Sequence, residues 1–177
     1  MLIEQVNNIL FILTILGFIF IISIILSLIF AKKTNKFIDF ITKNSIPLAF
    51  FISLIATLGS LFYSEIAGFA PCDLCWFQRI FMYPQVILLG LAWWKKKNAI
   101  IDYSLILIII GALYSLYHNY IYYTAQPTGF CSIVSPCTQT YILGFGFITI
   151  PLMAIIAFVL MGLLLLNKKI RSRTLNN

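Results

Sequence analysis

Five long apolar stretches, with a single charged side chain among them, dominate this chain of 177 residues. They measure 18 to 26 residues, and a helix of roughly 20 residues, rising about 1.5 Å per residue, crosses the hydrocarbon core of a bilayer. A backbone in lipid must satisfy its own hydrogen bonds, and the stretches lack the alternation of barrel strands. The sequence therefore predicts five transmembrane helices, over Ile9–Phe30, Ile46–Tyr63, Trp76–Trp94, Tyr103–Tyr123 and Tyr141–Leu166.

The composition agrees with a chain whose surface faces lipid, because 62% of the residues are hydrophobic and only 10% are charged. The net charge of +7 does not indicate a nucleic-acid partner, since the charges lie in short blocks between the apolar stretches. The leader Met1–Gln5 has no positive charge. The first stretch is therefore predicted to be a membrane helix and not a signal peptide.

The basic residues are distributed asymmetrically, which predicts the orientation of the chain. Eleven of the twelve lie in the first connection, the third connection and the C-terminal tail, whereas the N-terminus, the Gly68–Cys75 turn and the Thr124–Gln139 loop contain none. Short cytoplasmic segments carry an excess of Lys and Arg. We therefore expect the N-terminus and these two connections to face outward, and the C-terminus to face the cytoplasm.

All four cysteines fall in the two outward connections, Cys72 and Cys75 in the first and Cys131 and Cys137 in the second. The outer side of a bacterial membrane is where disulfides form and persist. This placement favours two redox pairs over isolated buried cysteines.

Cys72 and Cys75 form a C-x-x-C motif that immediately precedes a predicted helix and follows Pro71. The start of a helix presents unpaired N–H groups and a partial positive charge, which stabilise a thiolate and lower the pKa of the thiol. The thiolate is the attacking species in disulfide exchange. The motif predicts a reactive pair, with a structural disulfide and half of a metal site as the alternatives.

Cys131 and Cys137 enclose five residues of an uncharged segment that also contains Pro127 and Gly129. We expect this loop to be mobile and exposed, so that the thiol of another protein can reach it. A purely structural disulfide is the alternative.

Arg79 and His118 are the candidate cofactor-binding residues. Arg79 follows Cys75 by one helical turn on the same face, and a guanidinium near the hydrocarbon boundary is costly without a partner. We expect it to place a positive charge beside a quinone carbonyl; a side chain that reaches the lipid headgroups is the alternative. His118 lies toward the outer end of the fourth span, where it is predicted to line the same pocket or relay protons, or else only to pack.

The segment Pro71–Arg79, which reads PCDLCWFQR, is followed by Met82-Tyr83-Pro84 and by a second outer cysteine pair. This arrangement resembles the bacterial disulfide bond formation protein B family, the DsbB and BdbC proteins, over about Ile46 to Leu166. The resemblance implies an all-α integral membrane fold, a four-helix transmembrane bundle plus one additional N-terminal transmembrane helix. Residues 1–44 would hold the extra helix and a basic connection, 45–167 the bundle with two outer redox loops, and 168–177 a basic tail.

For function, the resemblance implies a membrane thiol:quinone oxidoreductase with Cys72, Cys75, Cys131 and Cys137 as catalytic residues and no bound metal. An extracytoplasmic thioredoxin-like thiol oxidase would be the partner that the Cys131–Cys137 disulfide oxidises. Cys75 would pass the electrons to ubiquinone or menaquinone near Arg79. By position, Cys131 matches the cysteine that forms the mixed disulfide, although the short spacing to Cys137, similar to the BdbC-like branch, leaves open which cysteine the partner attacks. The implied location is the bacterial cytoplasmic membrane, with the active site on the outer face.

Two other interpretations fit some of these features. A vitamin K epoxide reductase-like protein also joins a helix bundle, a C-x-x-C and a quinone, but in that pattern the active pair lies near the start of the last bundle helix, whereas here it precedes the second. A metal site formed by the four cysteines is the alternative from a different class. Nothing else in the two loops indicates a path for ions.

Overall fold

The computed structural model describes residues 2–30, 36–97, 99–124, 131, 137–138 and 146–176. Within these ranges the chain forms five α-helices, each long and apolar enough to span a membrane. The predicted all-α membrane fold is therefore confirmed. The helices are α1 (Leu2–Phe30), α2 (Lys36–Leu61), α3 (Asp73–Lys95), α4 (Ile100–Thr124) and α5 (Ile150–Asn176).

Helices α2 to α5 form a four-helix bundle, in which each helix packs against the next and α5 closes the ring against α2. The bundle core contains the fully buried side chains of Leu89, Phe158 and Met161. Helix α1 lies outside the ring, packs mainly against α5 and also touches α2. Its Ile21 and Ile24 join the same hydrophobic cluster as the bundle core.

The connection from α2 to α3 begins with a single π-helical turn, Phe62–Ile66, and reverses at Gly68, whose φ of 70° suits glycine. The α3 helix then starts at Asp73, with Cys72 at its N-cap. The predicted start at Trp76 is thus one turn too late. Cys75 lies inside the first turn of the helix rather than before it.

The predicted fifth span, Tyr141–Leu166, begins too early, although residues 141–145 lie outside the described part of the chain. Residues 146–149 are not helical, and α5 begins at Ile150. Gly146 has a φ of 83°, which a helix does not accommodate. The Thr149 side chain accepts a hydrogen bond from the N–H of Leu152 at 3.4 Å and so caps the helix.

Buried polar side chains join the bundle helices at several levels. Gln85 of α3 and Ser104 of α4 exchange two hydrogen bonds. Asn119 of α4 donates to the carbonyl of Pro151 in α5 at 2.9 Å. Hydrogen bonds between membrane helices contribute roughly 0.6 kcal/mol on average, so these contacts fix the register of neighbouring helices more than they stabilise the bundle.

At the opposite end of the bundle from the cysteines, the last turns of α5 form ion pairs with the first turns of α2 and α4. Arg171 pairs with Asp39, and Lys169 pairs with Asp102. These groups are partly exposed, and such pairs contribute little to stability. They do show that the basic end of α5 and the starts of α2 and α4 lie at the same end of the molecule.

Gly111 tests the close packing of α4 on α5, because a Cβ added there would overlap the ring of the buried Phe158. We expect Gly111→Ala to destabilise the bundle by about 1–3 kcal/mol, seen as a lower unfolding temperature in detergent. Gly162→Ala is the control, since its Cβ would meet only the Ile108 side chain, at 3.4 Å. Equal unfolding temperatures for the two variants would contradict this packing.

Candidate active site

The two cysteines of the C-x-x-C motif lie side by side at the start of α3, with their Sγ atoms 3.0 Å apart. Cys72 is buried and Cys75 is half-buried. A disulfide has an S–S length of about 2.05 Å. A small shift of either side chain is therefore enough to join or separate the two sulfurs.

His118 of α4 connects the motif to the second cysteine pair. Its Nε2 lies 3.1 Å from the carbonyl oxygen of Cys137 and 3.7 Å from the Sγ of Cys72. A carbonyl only accepts, so Nε2 carries the proton and donates. In the neutral ring Nδ1 is then an acceptor, and the side-chain amide of Gln78 donates to it at 2.9 Å.

Local hydrogen bonds lower the pKa of the Cys72 thiol from its usual 9.0 to about 5. The largest cause is the hydrogen bond from the Cys75 thiol, which stabilises the Cys72 thiolate. Burial acts in the opposite direction, and the contact with His118 lowers the pKa further. Cys72 is therefore the thiol of the motif that ionises more readily.

Cys131 and Cys137 form a disulfide, with their Cα atoms 5.8 Å apart. Cys137 is only 3% exposed and packs with Cys72 in one hydrophobic cluster, whereas Cys131 is half-buried at its margin. The predicted exposure of this loop is thus wrong at its Cys137 end, because that end covers the motif. The residues between the two cysteines lie outside the described part of the chain.

A cavity of about 250 Å³ lies beside Cys75, and none of its lining residues belongs to α4. Its walls come from α1, α2, α3 and α5, and most of the lining is apolar. Cys75, Gln78 and Arg79 contribute from α3, and Ser60 contributes from α2. The cavity therefore joins a thiol of the motif to an apolar space that is large enough for a small ring.

Arg79 extends along the cavity wall. Its guanidinium donates to the carbonyl oxygen of Ser60 at 3.2 Å and lies over the Trp76 ring, 5.3 Å from the ring centroid. These contacts hold the positive charge of Arg79 in a defined place beside the cavity.

Tyr63 also contributes to the cavity lining. Its side chain is 5% exposed, and its hydroxyl is buried and has no hydrogen-bond partner among the described residues. A buried polar group without a partner is costly. Because the hydroxyl itself is buried, Tyr63 forms the cavity wall with its ring rather than with its polar atom.

The structure brings the sequence-predicted residues together in two groups. Cys75 and Arg79 share the cavity, whereas Cys72, Cys131 and Cys137 lie on the side of His118. His118 is not among the residues that line the cavity. It contacts the Cys72 thiol and the Cys137 carbonyl instead, and its predicted role in cofactor binding stays a prediction.

Sequence reasoning missed two of the residues that shape this site. Gln78 is part of the segment that contains the motif. Its position three residues after Cys75 is the sequence feature that could have identified it. Tyr63 gave no signal, because one tyrosine among several near a membrane boundary looks like an interfacial anchor.

The alternative of a four-cysteine metal site does not fit this arrangement. Cys131 and Cys137 are bonded to each other and so offer no thiolates. Among the described residues, the sulfurs of Cys72 and Cys75 and a nitrogen of His118 lie within 4.8 Å of one another. That group contains two cysteines and one histidine and is therefore different from the four-cysteine site considered as the alternative.

The fold and the site define a membrane-embedded thiol oxidoreductase: a helical bundle that carries one disulfide and one reactive dithiol against the same histidine. The family model described as Disulfide bond formation protein DsbB matches residues 42–167. The chain belongs to this family. It is a multi-pass membrane protein of disulfide bond formation, and the vitamin K epoxide reductase-like interpretation is set aside.

Several curated proteins are similar to this chain. Probable disulfide formation protein C 1 of Bacillus anthracis is 53% identical over 109 residues, which cover 60% of this chain and 78% of that protein. Disulfide bond formation protein C of Bacillus subtilis strain 168 is 49% identical over 114 residues, which cover 62% of this chain and 80% of that protein. Probable disulfide formation protein of Oceanobacillus iheyensis is 40% identical over 136 residues, which cover 75% of this chain and 90% of that protein. No solved structure matches the chain.

The low pKa of Cys72 predicts a titration in the acidic range. In a Cys131→Ser/Cys137→Ser variant, reduced so that only the motif thiols remain, ultraviolet thiolate absorbance should be present at neutral pH and lost as the pH falls through about 5. Cys72→Ser should remove this step, and His118→Ala should move it to higher pH. A first step near 9.0, the usual pKa of the thiol, would contradict the prediction.

Proposed function

We propose that this protein reoxidises an extracytoplasmic thioredoxin-like thiol oxidase and passes the electrons to a membrane quinone. The observation that carries the proposal is the cavity beside Cys75 and Arg79. It joins a thiol of the motif to an apolar space bounded by membrane helices, which is where a lipid-soluble acceptor is available. Quinone, when bound, accepts two electrons and two protons and leaves as quinol.

The lining of the cavity fits a quinone ring in size and in chemistry. The volume of about 250 Å³ lies just below the roughly 300–1,000 Å³ of drug-sized sites, so it suits a single ring whose tail extends into lipid. Arg79 lines the cavity and supplies a charged donor. A guanidinium suits a quinone carbonyl oxygen, which accepts hydrogen bonds.

The second cysteine pair is the proposed point of entry for electrons. Cys131 is the more accessible member, since Cys137 is buried against the motif. A thiolate of the partner attacks Cys131, a mixed disulfide forms, and Cys137 leaves as a thiolate. The second thiol of the partner then displaces Cys131, so the partner leaves as a disulfide and the loop pair is a dithiol.

Electrons then move from the loop pair to the motif. The loop dithiol reduces the Cys72–Cys75 disulfide and itself becomes a disulfide again, which is the pairing that the structure contains. The motif dithiol is oxidised by quinone through Cys75, and its two electrons and two protons appear in quinol. Every step conserves two electrons, and respiratory oxidation of quinol restores the acceptor.

His118 acts in this scheme as a positioning residue for the exchange between the two pairs. Its Nε2 is within reach of both the Cys72 sulfur and the Cys137 carbonyl, and Gln78 holds the ring in place. It stabilises the Cys72 thiolate and so favours Cys72 as the sulfur that leaves or attacks in the exchange.

The proposed location is the bacterial cytoplasmic membrane, with the N-terminus and both cysteine pairs outside and the C-terminus inside. The distribution of Lys and Arg supports this orientation. Both pairs meet at one end of the bundle, and the basic end with its ion pairs lies at the other.

Quinone reduction by the purified protein tests the relay. With a reduced thioredoxin-like thiol oxidase as donor, we expect wild type to turn over, and Cys75→Ser and Cys131→Ser to abolish turnover. Arg79→Ala should raise the apparent quinone KM about tenfold, the size of one lost hydrogen bond to a charged group, while Arg79→Lys retains part of the affinity. If wild type shows no thiol oxidation that depends on quinone, the quinone proposal fails.

Cysteine labelling in intact cells tests the orientation. In a variant whose four cysteines are replaced by serine, Thr138→Cys should react with a membrane-impermeant maleimide, because this exposed residue lies beside Cys137. Lys97→Cys, also exposed, should react only after lysis. Labelling of Lys97→Cys in intact cells would reverse the proposed orientation.

A further inference from the structure

We propose that α1, the helix outside the four-helix bundle, forms the fourth wall of the quinone site and helps to determine which quinone ring fits. This inference rests on the quinone site proposed above. The family model begins at residue 42, so α1 lies outside the part of the chain that the family match covers.

One face of α1 lines the cavity. Leu10, Leu13, Thr14 and Gly17 all contribute to the lining, and their spacing of three and four residues places them on one side of a helix. The opposite side carries exposed apolar residues such as Ile12 and Leu16, each 55% exposed. Helix α1 therefore separates the cavity from the surrounding lipid.

Glycines allow α1 to approach both neighbouring helices at the level of the cavity. A Cβ added at Gly17 would meet Ile156 of α5 at 3.2 Å, and one added at Gly59 of α2 would meet Leu10 at 3.4 Å. Small residues at such positions are the usual means of close packing between membrane helices. Helix α1 thus spans the gap between α2 and α5 and covers it.

Helix α1 also packs against Tyr63, another residue of the cavity lining. Phe11 of α1 packs with Tyr63 and Ile148 in a separate buried cluster, beside the Tyr63 hydroxyl that has no partner among the described residues. The position of Phe11 therefore helps to hold Tyr63 at the cavity. Without α1, the apolar side of the site would open directly to lipid.

Thr14→Phe tests the wall by placing a ring at the cavity. We expect the apparent KM for a short-chain ubiquinone to rise about tenfold, equivalent to roughly 1.4 kcal/mol, with dithiothreitol as donor. Reduction of the Cys131–Cys137 disulfide by dithiothreitol in the absence of quinone should keep its wild-type rate. Leu16→Phe is the matched control, because Leu16 faces away from the cavity, and it should change neither value.

Photolabelling of the wild-type protein gives a readout that depends on neither turnover nor a variant. An azido-benzoquinone should label the Leu10–Gly17 segment at its cavity face, and an excess of short-chain ubiquinone should suppress this label. Suppressible label confined to α2, α3 and α5, or an unchanged KM in Thr14→Phe, would overturn the role of α1 and leave the quinone site intact. The absence of any suppressible label, together with the absence of quinone reduction, would overturn both proposals.

Discussion

The start of α3 determines the geometry of the whole site. Because the helix begins at Asp73, Cys72 lies at the N-cap and Cys75 lies within the first turn. The helical repeat then places Gln78 and Arg79 on the side of Cys75, and these three residues line the cavity. Cys72 instead contacts His118 and packs with the second pair. The position of the helix start thus places Cys72 next to His118 and the second pair, and Cys75 next to the cavity.

Gln78 connects these two environments. Its side chain lines the cavity and also donates to His118, and both residues are almost fully buried. A buried amide or imidazole without a partner would destabilise an apolar bundle by roughly 1–3 kcal/mol, so each residue satisfies the other. The pairing also fixes the tautomer of His118, because a ring nitrogen that accepts from Gln78 leaves the other nitrogen to donate toward Cys137 and Cys72.

The helices and the cysteine pairs could be predicted because they follow from local rules. A spanning segment in a bilayer must be a long apolar helix, and cysteines in the connections between such helices are easily recognised in the sequence. The predicted start of α5 was too early, since an apolar run in sequence continues through a cap such as Thr149 or a turn such as Gly146. The predicted start of α3 was too late, because its first turn contains the charged Asp73 and so does not belong to the apolar run. The contact of His118 with Cys72 joins residues 46 positions apart, and no periodicity in the sequence indicates such a pairing.

The role of α1 could not be predicted for a related reason. From Ile9 onward the helix is apolar on nearly every side, so no polar face indicates which side packs and which side meets lipid. Its polar Thr14 donates to the Leu10 carbonyl of its own helix. Helix α1 would therefore act on a ligand mainly through the shape of the wall that it forms. In an apolar pocket one methylene changes affinity by about 1–3 kcal/mol. In the proposed quinone site, a helix outside the family bundle therefore acts on the ring through shape, while Arg79 supplies the polar contact.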